Sequence, residues 1–306
     1  MKQVNAIFSA DFHLREEIPI CRTDNFWETQ WKKVDFISEL QKKYNCPVIH
    51  SGDLFHHWKP SPYLLSTTIE HIPNKFYTIY GNHDLPQHNL ELAEKCGINV
   101  LIRARSINML SGVHWGQEIK AIDTCMIQSN DYPNYTNNDL EVLSSLKRTL
   151  VWHIMTYKNE LPYYGCTAMS AKAILKKYKQ FDLIVTGDNH QTFVEEYNGR
   201  LLVNPGSLMR QSAAQIDFKP SVFLWYAKTN TVEQVFIPIE KNVISREHID
   251  IKEKRNNRID AFISGLNTDW KSNISFQANL LKFYDKNKTK KVVKELIQKF
   301  IETKKL

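Results

Sequence analysis

Short apolar segments alternate with longer amphipathic segments along the first part of the chain. Val4–Ala10, Cys46–His50 and Phe76–Tyr80 are short runs of apolar, β-branched and aromatic residues, which predict strands. Between the first two runs, Asn25–Tyr44 places apolar residues near helical spacing with Lys and Glu between them, which predicts an amphipathic helix. This order of strand, helix and strand predicts parallel strands joined by right-handed crossovers.

The same kind of pattern continues to about residue 240. Further helices are expected at Leu64–His71, Asp139–Arg148 and Ser170–Tyr178, and a polar loop at Tyr132–Asn138. Further strands are expected at Asn99–Ile102, Ser106–Leu110, Ala121–Ile127, Leu150–Trp152 and Phe181–Val185. Two hairpins are expected. The first has strands at Val194–Tyr197 and Arg200–Val203, joined by the strong turn signal Asn198-Gly199. The second has strands at Val222–Tyr226 and Val232–Ile237.

The sequence changes character after about residue 240. Residues 241–306 carry 16 Lys and Arg against 8 Asp and Glu, whereas the first 240 residues carry 24 against 25. Helices are expected there at Ile259–Leu266, Phe276–Tyr284 and Thr289–Thr303. We therefore predict a large domain over 1–240 and a small basic cap or docking region over 241–306. Lysine clusters attract phosphate backbones, although a solvated helix face explains the same charge.

Several function classes are disfavoured by composition. No apolar run approaches the roughly 20 residues of a membrane span, so we expect no membrane association. The first residues lead directly into a predicted strand, so no signal peptide is expected. The five cysteines are odd in number and include no Cys-x-x-Cys pair, which is typical of reduced thiols. These features predict a cytoplasmic protein, or one in the host cytoplasm if the source is a virus.

Polar residues that can bind metal ions follow five of the apolar runs. They are Asp11 with His13, Asp53, Asn82 with His83 and Asp84, His153, and Asp188 with His190. Because α/β proteins place their sites at the carboxyl ends of parallel strands, we expect these side chains to converge. Asp11 and His13 are two residues apart, so in an extended backbone they would point the same way.

The chemistry of these side chains indicates a metal site. Oxygen and imidazole ligands without thiolate suit Mn²⁺, Fe²⁺ or Zn²⁺. The series holds more ligands than one ion needs, and one carboxylate that bridges two ions roughly 4 Å apart is the usual arrangement for hydrolysing phosphoesters. The sequence therefore predicts a site for two divalent ions.

The motifs Asp-x-His, Gly-Asp, Gly-Asn-His-Asp, a lone His and Gly-x-x-His follow one another in the order typical of calcineurin-like metallophosphoesterases. Over about residues 4–240 the chain resembles this superfamily, and within it most resembles the SbcD/Mre11 DNA repair nucleases, whose segment Asn-Pro-Gly-Ser it has at 204–207. The resemblance implies a four-layered α/β/β/α sandwich of two mixed sheets flanked by helices, with a small helical C-terminal region. It also implies a DNA exonuclease or endonuclease of DNA repair and recombination that uses a metal-activated water.

The resemblance further implies a role for each residue of the series. The first ion would be bound by Asp11, His13, Asp53 and His190, and the second by Asp53, Asn82, His153 and Asp188. Asp53 would thus bridge the two ions. His83 would protonate the leaving alkoxide or stabilise the phosphate, and Asp84 would orient His83.

One motif departs from the family pattern. The family usually has Gly-His-x-His, where this chain has Gly187-Asp188-Asn189-His190. The carboxylate of Asp188 adds negative charge and favours harder ions, so we expect Mn²⁺, with Mg²⁺ or Fe²⁺ as alternatives, over Zn²⁺. The other interpretation is that the second metal site is weakened.

The resemblance also implies partners, namely DNA, an SbcC/Rad50-like ATPase that docks on Thr289–Thr303, and a second copy of the chain in a homodimer. Two other functions stay open: a phosphatase or small-molecule phosphodiesterase, and a DNA-binding subunit with a degenerate metal site. His56 and His57 follow Asp53 in a loop. His57 matches a family position near the metals, but a solvated loop is an equally good interpretation.

Overall fold

The computed structural model describes residues 3–110, 113–114, 124–128, 147–268 and 276–304. The chain divides into two compact units, residues 1–245 and 246–306. The described part of the first unit forms these strands in chain order: β1 Ala6–Ser9, β2 Val48–His50, β3 Phe76–Thr78, β4 Asn108–Met109, β5 Val113–His114, β6 Thr124–Gln128, β7 Lys147–Trp152, β8 Thr156–Tyr157, β9 Met169–Ser170, β10 Leu183–Thr186, β11 Phe193–Tyr197, β12 Arg200–Asn204, β13 Ser221–Tyr226 and β14 Thr231–Phe236.

Each of the two units has its own helices. The first unit has α1 Phe26–Tyr44, α2 Pro62–His71, α3 Ile98–Arg103 and α4 Ala171–Lys177, and the second has α5 Glu247–Thr268, α6 Phe276–Lys286 and α7 Lys291–Lys304. The longest helix of the first unit, α1, begins at a typical cap, since the side chain of Asn25 accepts a hydrogen bond from the backbone N–H of Glu28. Within the described ranges, none of these helices is both long and apolar enough to cross a membrane.

Two mixed six-stranded sheets make up most of the first unit. The first sheet has the order β14-β13-β1-β2-β3-β4, and its strands β1 to β4 are parallel. The second has the order β11-β12-β10-β7-β6-β5, and strands β12, β10, β7 and β6 are parallel. In each sheet the parallel centre continues into antiparallel strands, which include the two hairpins predicted from the sequence.

The buried side chains show that the two sheets face each other with helices outside. Along β1, Ala6 and Phe8 belong to one apolar cluster together with Leu183 and Val185 of β10, so this cluster lies between the sheets. Ile7 points to the other face of the first sheet, where its cluster contains α1 and α2 side chains. A third cluster packs α4 against the outer face of the second sheet. This alternation confirms the predicted α/β/β/α order of layers.

Most predicted elements are confirmed within a few residues, but one assignment is wrong. The sequence predicts a strand at Asn99–Ile102, whereas the structure has helix α3 there. Ile98 and Leu101 are the buried residues of this helix. Their spacing of three residues places them on one helical face, and so short an apolar run does not distinguish a strand from a buried helix.

Other differences concern the ends of elements. Of the predicted helix Asp139–Arg148, the part that the structure describes is Lys147 and Arg148, which belong to strand β7. The predicted loop Tyr132–Asn138 lies outside the described residues. Helix α5 begins at Glu247, well before the predicted start at Ile259, because residues 247–258 are mostly charged and give little apolar periodicity.

Candidate metal centre

The predicted metal ligands follow five parallel strands. Asp11 and His13 follow β1, Asp53 follows β2, and Asn82 follows β3, and these three strands are neighbours in the first sheet. His153 follows β7, and the segment with Asp188 and His190 follows β10, its neighbour in the second sheet. The two sheets are joined at this edge, because the hydroxyl of Ser51 donates a hydrogen bond to the carbonyl of Thr186 over 2.8 Å.

The backbone around these residues differs from the extended form expected from the sequence. Asp11, His13 and Asp53 have φ values of 49°, 46° and 58°, in the left-handed region that non-glycine residues rarely adopt. The segment after β1 nevertheless stays beside the segment after β2, since the N–H of His13 bonds to the carbonyl of Asp53. Such conformations cost about 1–3 kcal/mol each and are concentrated at functional sites.

Two glycines allow the close packing behind the site. Gly52 has a φ of 98°, and a Cβ on it would lie 2.6 Å from Nδ1 of His153. A Cβ on Gly81 would collide with the carboxylate of Asp53. Both positions therefore require glycine, because any side chain would displace a predicted ligand.

Asp53 stands at the centre of the arrangement. Its Oδ2 lies 3.5 Å from Nε2 of His13 on one side and 3.4 Å from Nε2 of His153 on the other. Around it, Nε2 of His190 lies 3.0 Å from Nε2 of His13, and Oδ1 of Asn82 lies 2.8 Å from Nε2 of His153. The structure therefore brings one carboxylate between two sets of donor atoms.

The structure brings some of the predicted ligands closer together than others. Asp11, His13 and His190 form one group whose ligand atoms lie within 4.8 Å of one another, and Asp11, Asp53 and His153 form another. Among the described residues, the carboxylate of Asp188 belongs to no such group. Its backbone N–H donates to Oδ1 of Asp11 over 3.0 Å, so its loop is tied to the site, and its role as a ligand stays a prediction.

Burial and mutual charge shift the protonation of these groups. Burial raises the pKa of Asp11 to about 8 and lowers the pKa values of His13 and His190. Burial would also lower the pKa of His153, but the charge of Asp53 outweighs it and raises that pKa to about 10. Burial would raise the pKa of Asp53, but the attraction of the surrounding histidines, led by His153, outweighs it and lowers that pKa.

Hydrogen bonds orient two of the imidazole rings. Nδ1 of His153 donates to the carbonyl of Ser51 over 2.7 Å, which turns Nε2 towards Asp53. Nδ1 of His83 donates to the carbonyl of His56 over 2.9 Å, while the backbone N–H of His83 donates to Oδ1 of Asp53 over 2.8 Å. Each carbonyl accepts the Nδ1 proton of its ring and leaves Nε2 as the nitrogen that is available to other partners.

The contacts of Asp84 differ from the expected ones. The family resemblance implies that Asp84 orients His83, but the two oxygens of Asp84 accept hydrogen bonds from the backbone N–H groups of Leu54, Phe55 and Gly81. Asp84 therefore holds the two ligand-bearing loops together rather than the ring of His83. Three backbone donors converge on a buried carboxylate, and burial raises its pKa to about 7.

A second difference concerns the histidines after Asp53. The resemblance draws attention to His57, but His57 is exposed, and its ring contacts that of His56 at 4.6 Å. His56 is the residue that reaches the site, where its ligand atom groups with those of His13 and His83 within 4.8 Å. Sequence reasoning missed it because two adjacent histidines in a loop give no signal of which one turns inward.

The residues present fit divalent ions. Oδ2 of Asp11 is buried without a hydrogen-bond partner, and the Nε2 atoms of His13 and His190 face each other at 3.0 Å. A cation between them would satisfy the two nitrogens and the carboxylate together. The donors are carboxylate, imidazole and amide oxygen, which suit first-row divalent ions and Mg²⁺.

The first unit of the chain matches a known family of phosphoesterases. Residues 6–224 match the model of the calcineurin-like phosphoesterase superfamily domain, so the chain belongs to this superfamily of metal-dependent phosphoesterases. A phosphoesterase is a hydrolase, and the clustered Asp and His side chains are of the kind that binds metal ions. No curated protein sequence matches the chain.

Three solved structures are similar in fold. An archaeal phosphodiesterase is 13% identical, covers 76% of this chain and 99% of its own, and has a TM-score of 0.37. A candidate 5′-nucleotidase from Staphylococcus aureus, solved with α-ketoglutarate, is 14% identical over 82% of this chain and 58% of its own, with a TM-score of 0.48. The protein TT1561 of Thermus thermophilus is 11% identical over 78% of this chain and all of its own, with a TM-score of 0.45.

Proposed function

We propose that this protein is a two-metal phosphodiesterase that cuts DNA, as an exonuclease or endonuclease of the SbcD/Mre11 kind acting in DNA repair and recombination. The observation that carries the proposal is the position of Asp53, whose Oδ2 lies at nearly equal distances from Nε2 of His13 and Nε2 of His153. A carboxylate between two sets of ligand atoms is suited to share two cations.

The proposed ligand sets are those predicted from the sequence. The first ion is assigned to Asp11, His13, Asp53 and His190, and the second to Asp53, Asn82, His153 and Asp188. When bound, the ions would supply a nucleophile by lowering the pKa of water, and they would neutralise charge on the phosphodiester. The donors and the extra carboxylate of Asp188 support Mn²⁺, with Mg²⁺ or Fe²⁺ as alternatives.

His83 is the proposed acid or phosphate-stabilising group. Its Nδ1 is occupied by the carbonyl of His56, so Nε2 is the nitrogen that can exchange a proton or donate to a phosphate oxygen. Its ring lies 4.8 Å from that of His13, centroid to centroid, beside the first set of ligands. This position supports action on the substrate without requiring His83 to bind an ion.

The second unit is the proposed region for partners. Lys and Arg outnumber Asp and Glu two to one in residues 241–306, which supports contact with a phosphate backbone. Helix α7 exposes Val292, Val293 and Leu296 on neighbouring turns, as does a helix that docks on another helix. Helix α7 is the proposed docking site for an SbcC/Rad50-like ATPase. The proposal also includes a homodimer and a cytoplasmic location.

A substrate panel tests the function. Purified protein with Mn²⁺ is assayed on single-stranded DNA, on double-stranded DNA and on a small chromogenic phosphodiester. The proposal predicts cleavage of DNA and of the small substrate. Activity on the small substrate alone would favour a small-molecule phosphodiesterase, and DNA binding without any hydrolysis would favour a degenerate binding subunit.

A truncation tests the role of the C-terminal helix. Removal of residues 287–306 is expected to leave hydrolysis of the small phosphodiester intact while weakening binding of DNA or of the ATPase. Circular dichroism of the truncated protein serves as the folding control. Loss of small-substrate hydrolysis by a folded truncation would make α7 part of the catalytic domain and contradict the assignment.

A further inference from the structure

The loop that follows His153 leaves the metal centre and returns to it. Strands β8 and β9 pair in parallel, with Thr156 opposite Met169 and Tyr157 opposite Ser170. The N–H of Met169 also donates to the carbonyl of Met155 over 3.0 Å. These contacts close a loop over residues 158–168, which we call the tyrosine loop.

The base of the tyrosine loop is attached to the metal-site segment after β10. The side-chain amide of Asn189, which lies between Asp188 and His190, donates to the carbonyl of Thr156 over 2.6 Å. The hydroxyl of Thr156 lies 3.0 Å from that of Thr186 at the end of β10. The loop is therefore anchored beside the predicted second metal site.

The anchored base sets where the tyrosine loop stands. The carbonyl of Thr156, which accepts the hydrogen bond from Asn189, lies in the strand pairing that closes the loop. His153 comes two residues before Met155 in the same segment. The tyrosine loop therefore projects from the rim of the metal centre.

The tip of the tyrosine loop presents aromatic surface to solvent. Leu161 is 47% exposed, Tyr163 is 61% exposed and Tyr164 is fully exposed, so neither face of the Tyr164 ring packs on the protein. Gly165 follows with a φ of 81°, which turns the chain directly after the two tyrosines. Lys158, at the start of the loop, is paired with Glu195 and with the carbonyl of Val194, so the exposed tip is aromatic rather than basic.

The chemistry of the neighbouring metal centre indicates which kind of ligand binds the two tyrosine rings. A nucleic acid places a base on either side of the phosphodiester that is cut. Every base has an aromatic face, and stacking on tyrosine is the sequence-tolerant way in which proteins hold unpaired bases. In a duplex those faces are already stacked on neighbouring bases, so an unpaired strand is the form that a solvent-exposed ring can bind.

We propose that Tyr164, with Tyr163 beside it, stacks an unpaired nucleobase of the substrate strand on the rim of the metal centre. This inference rests on the proposed nuclease function and narrows it to single-stranded DNA or to ends whose bases are unpaired. The tyrosines act on substrate binding and position, and the metal ligands are unaffected by them.

Two matched substrates test the proposal. One is a single-stranded oligonucleotide and the other is a fully abasic strand of the same length. For Tyr164→Ala we expect kcat/KM on the normal strand to fall roughly 5- to 150-fold, which corresponds to one lost stacking contact, with little change on the abasic strand. Tyr164→Phe keeps the ring and should retain most activity. Phe236→Ala, which removes an exposed aromatic ring from β14 elsewhere on the surface, should behave as the wild type on both strands.

Each other outcome overturns the proposal. An equal loss on normal and abasic strands would show that Tyr164 supports the loop or the metal centre rather than a base. No loss on either strand would show that the exposed rings serve a different contact, for example with a protein. The metal content of each variant is measured alongside, because a change there would also indicate a structural role.

Failure of the nuclease function can be told apart from failure of this inference. If the wild type cuts no oligonucleotide but hydrolyses small phosphodiesters, the proposed DNA role is wrong. The same variants are then compared on the p-nitrophenyl ester of thymidine 5′-monophosphate and on methyl p-nitrophenyl phosphate. A loss in Tyr164→Ala confined to the thymidine ester would still support base stacking, and an equal effect on both esters would contradict it.

Discussion

The two halves of the metal centre differ in protonation. The first half is the proposed ligand set Asp11, His13 and His190, the second half is Asn82, His153 and Asp188, and Asp53 lies between them. In the first half, burial lowers the pKa values of His13 and His190, so both imidazoles are neutral and their nitrogens are free to bind a cation. In the second half, Asp53 raises the pKa of His153 to about 10. Both ring nitrogens of His153 are therefore protonated, and the ring is positively charged, when no ion is present. A cation in the first half therefore displaces no proton from an imidazole, whereas a cation in the second half must displace one from a ligand nitrogen.

The difference arises from one shared carboxylate in two environments. Asp53 contacts both His13 and His153 at about the same distance, but Nδ1 of His153 is also bound to a backbone carbonyl, and the charges of Asp11 and Asp188 act on its ring as well. A ring surrounded by three carboxylates holds a proton in the place that a second cation would take. Occupancy of the second half is thus expected to depend more strongly on pH and on each of these carboxylates.

The largest effect is expected from Asp53→Asn, which tests whether the two halves share a ligand. The substitution keeps the size of the side chain and removes the charge between the halves, so both ions should bind weakly and hydrolysis should be lost. Metal content by mass spectrometry and turnover of a chromogenic phosphodiester measure the two effects. Near-normal turnover by a folded, metal-loaded variant would rule out a bridging role.

The next largest effect is expected from His83→Ala, which separates chemistry from metal binding. Because the ring of His83 is held by the carbonyl of His56, its loss should leave both halves loaded and reduce turnover roughly 10²- to 10⁴-fold, as expected for a lost acid. Turnover is measured at saturating Mn²⁺ together with the metal content. Loss of one equivalent of metal would instead identify His83 as a ligand.

Substitutions at Asp188 test the second half alone. Asp188→Ala should lose the second ion first and leave the first half largely occupied, since the ligand atoms of Asp11, His13 and His190 form a group without this carboxylate. Asp188→His restores the usual family residue and should retain activity while shifting preference from Mn²⁺ towards Zn²⁺. Calorimetric titration of both variants measures this. Two full sites in Asp188→Ala would show that Asp188 is not a ligand.

The smallest expected effect is a dependence of metal affinity on pH. With pKa values of about 8 for Asp11 and about 10 for His153, both groups carry a proton at pH 7 in the metal-free protein. Binding of ions must displace these protons, so affinity should rise with pH, by about tenfold per pH unit for each proton released, until pH passes the pKa of each group.

Proton release can be measured directly. Calorimetric titrations with Mn²⁺ in two buffers of different ionisation enthalpy give the number of protons released for each ion. The comparison of the two halves predicts that the second ion releases its proton over a range extending to a higher pH than the first. Equal release by both ions at a pH between the pKa values of Asp11 and His153, or an affinity that is independent of pH, would contradict the difference between the halves.

Sequence patterns indicated which side chains come together better than they indicated the backbone that carries them. Strand ends could be recognised because Asp53 and Asn82 directly follow apolar runs, and the order of parallel strands then brings them to one edge. The left-handed backbone at Asp11 and His13 could not be predicted, because Asp and His have no strong preference for it and only the surrounding loops impose it.

Hydrogen bonds between residues that are far apart in the sequence could not be predicted either. Asp84 lies beside His83 in the sequence, which suggested that it orients this ring, but its oxygens bind backbone donors from a loop about thirty residues away. In the same way, nothing in the pair His56-His57 shows which ring faces the site. The strand predicted at Asn99–Ile102 failed for a simpler reason, since an apolar run of three residues fits a strand and a helix alike.

The most direct test of the shared site is to locate the ions. Crystals of the wild-type protein grown with Mn²⁺ at a pH near 8 would be measured at the manganese absorption edge. We expect two anomalous peaks, roughly 3.5–4 Å apart, with the carboxylate of Asp53 contacting both. A single peak, or two peaks that do not share Asp53, would contradict the claim that one carboxylate serves both halves.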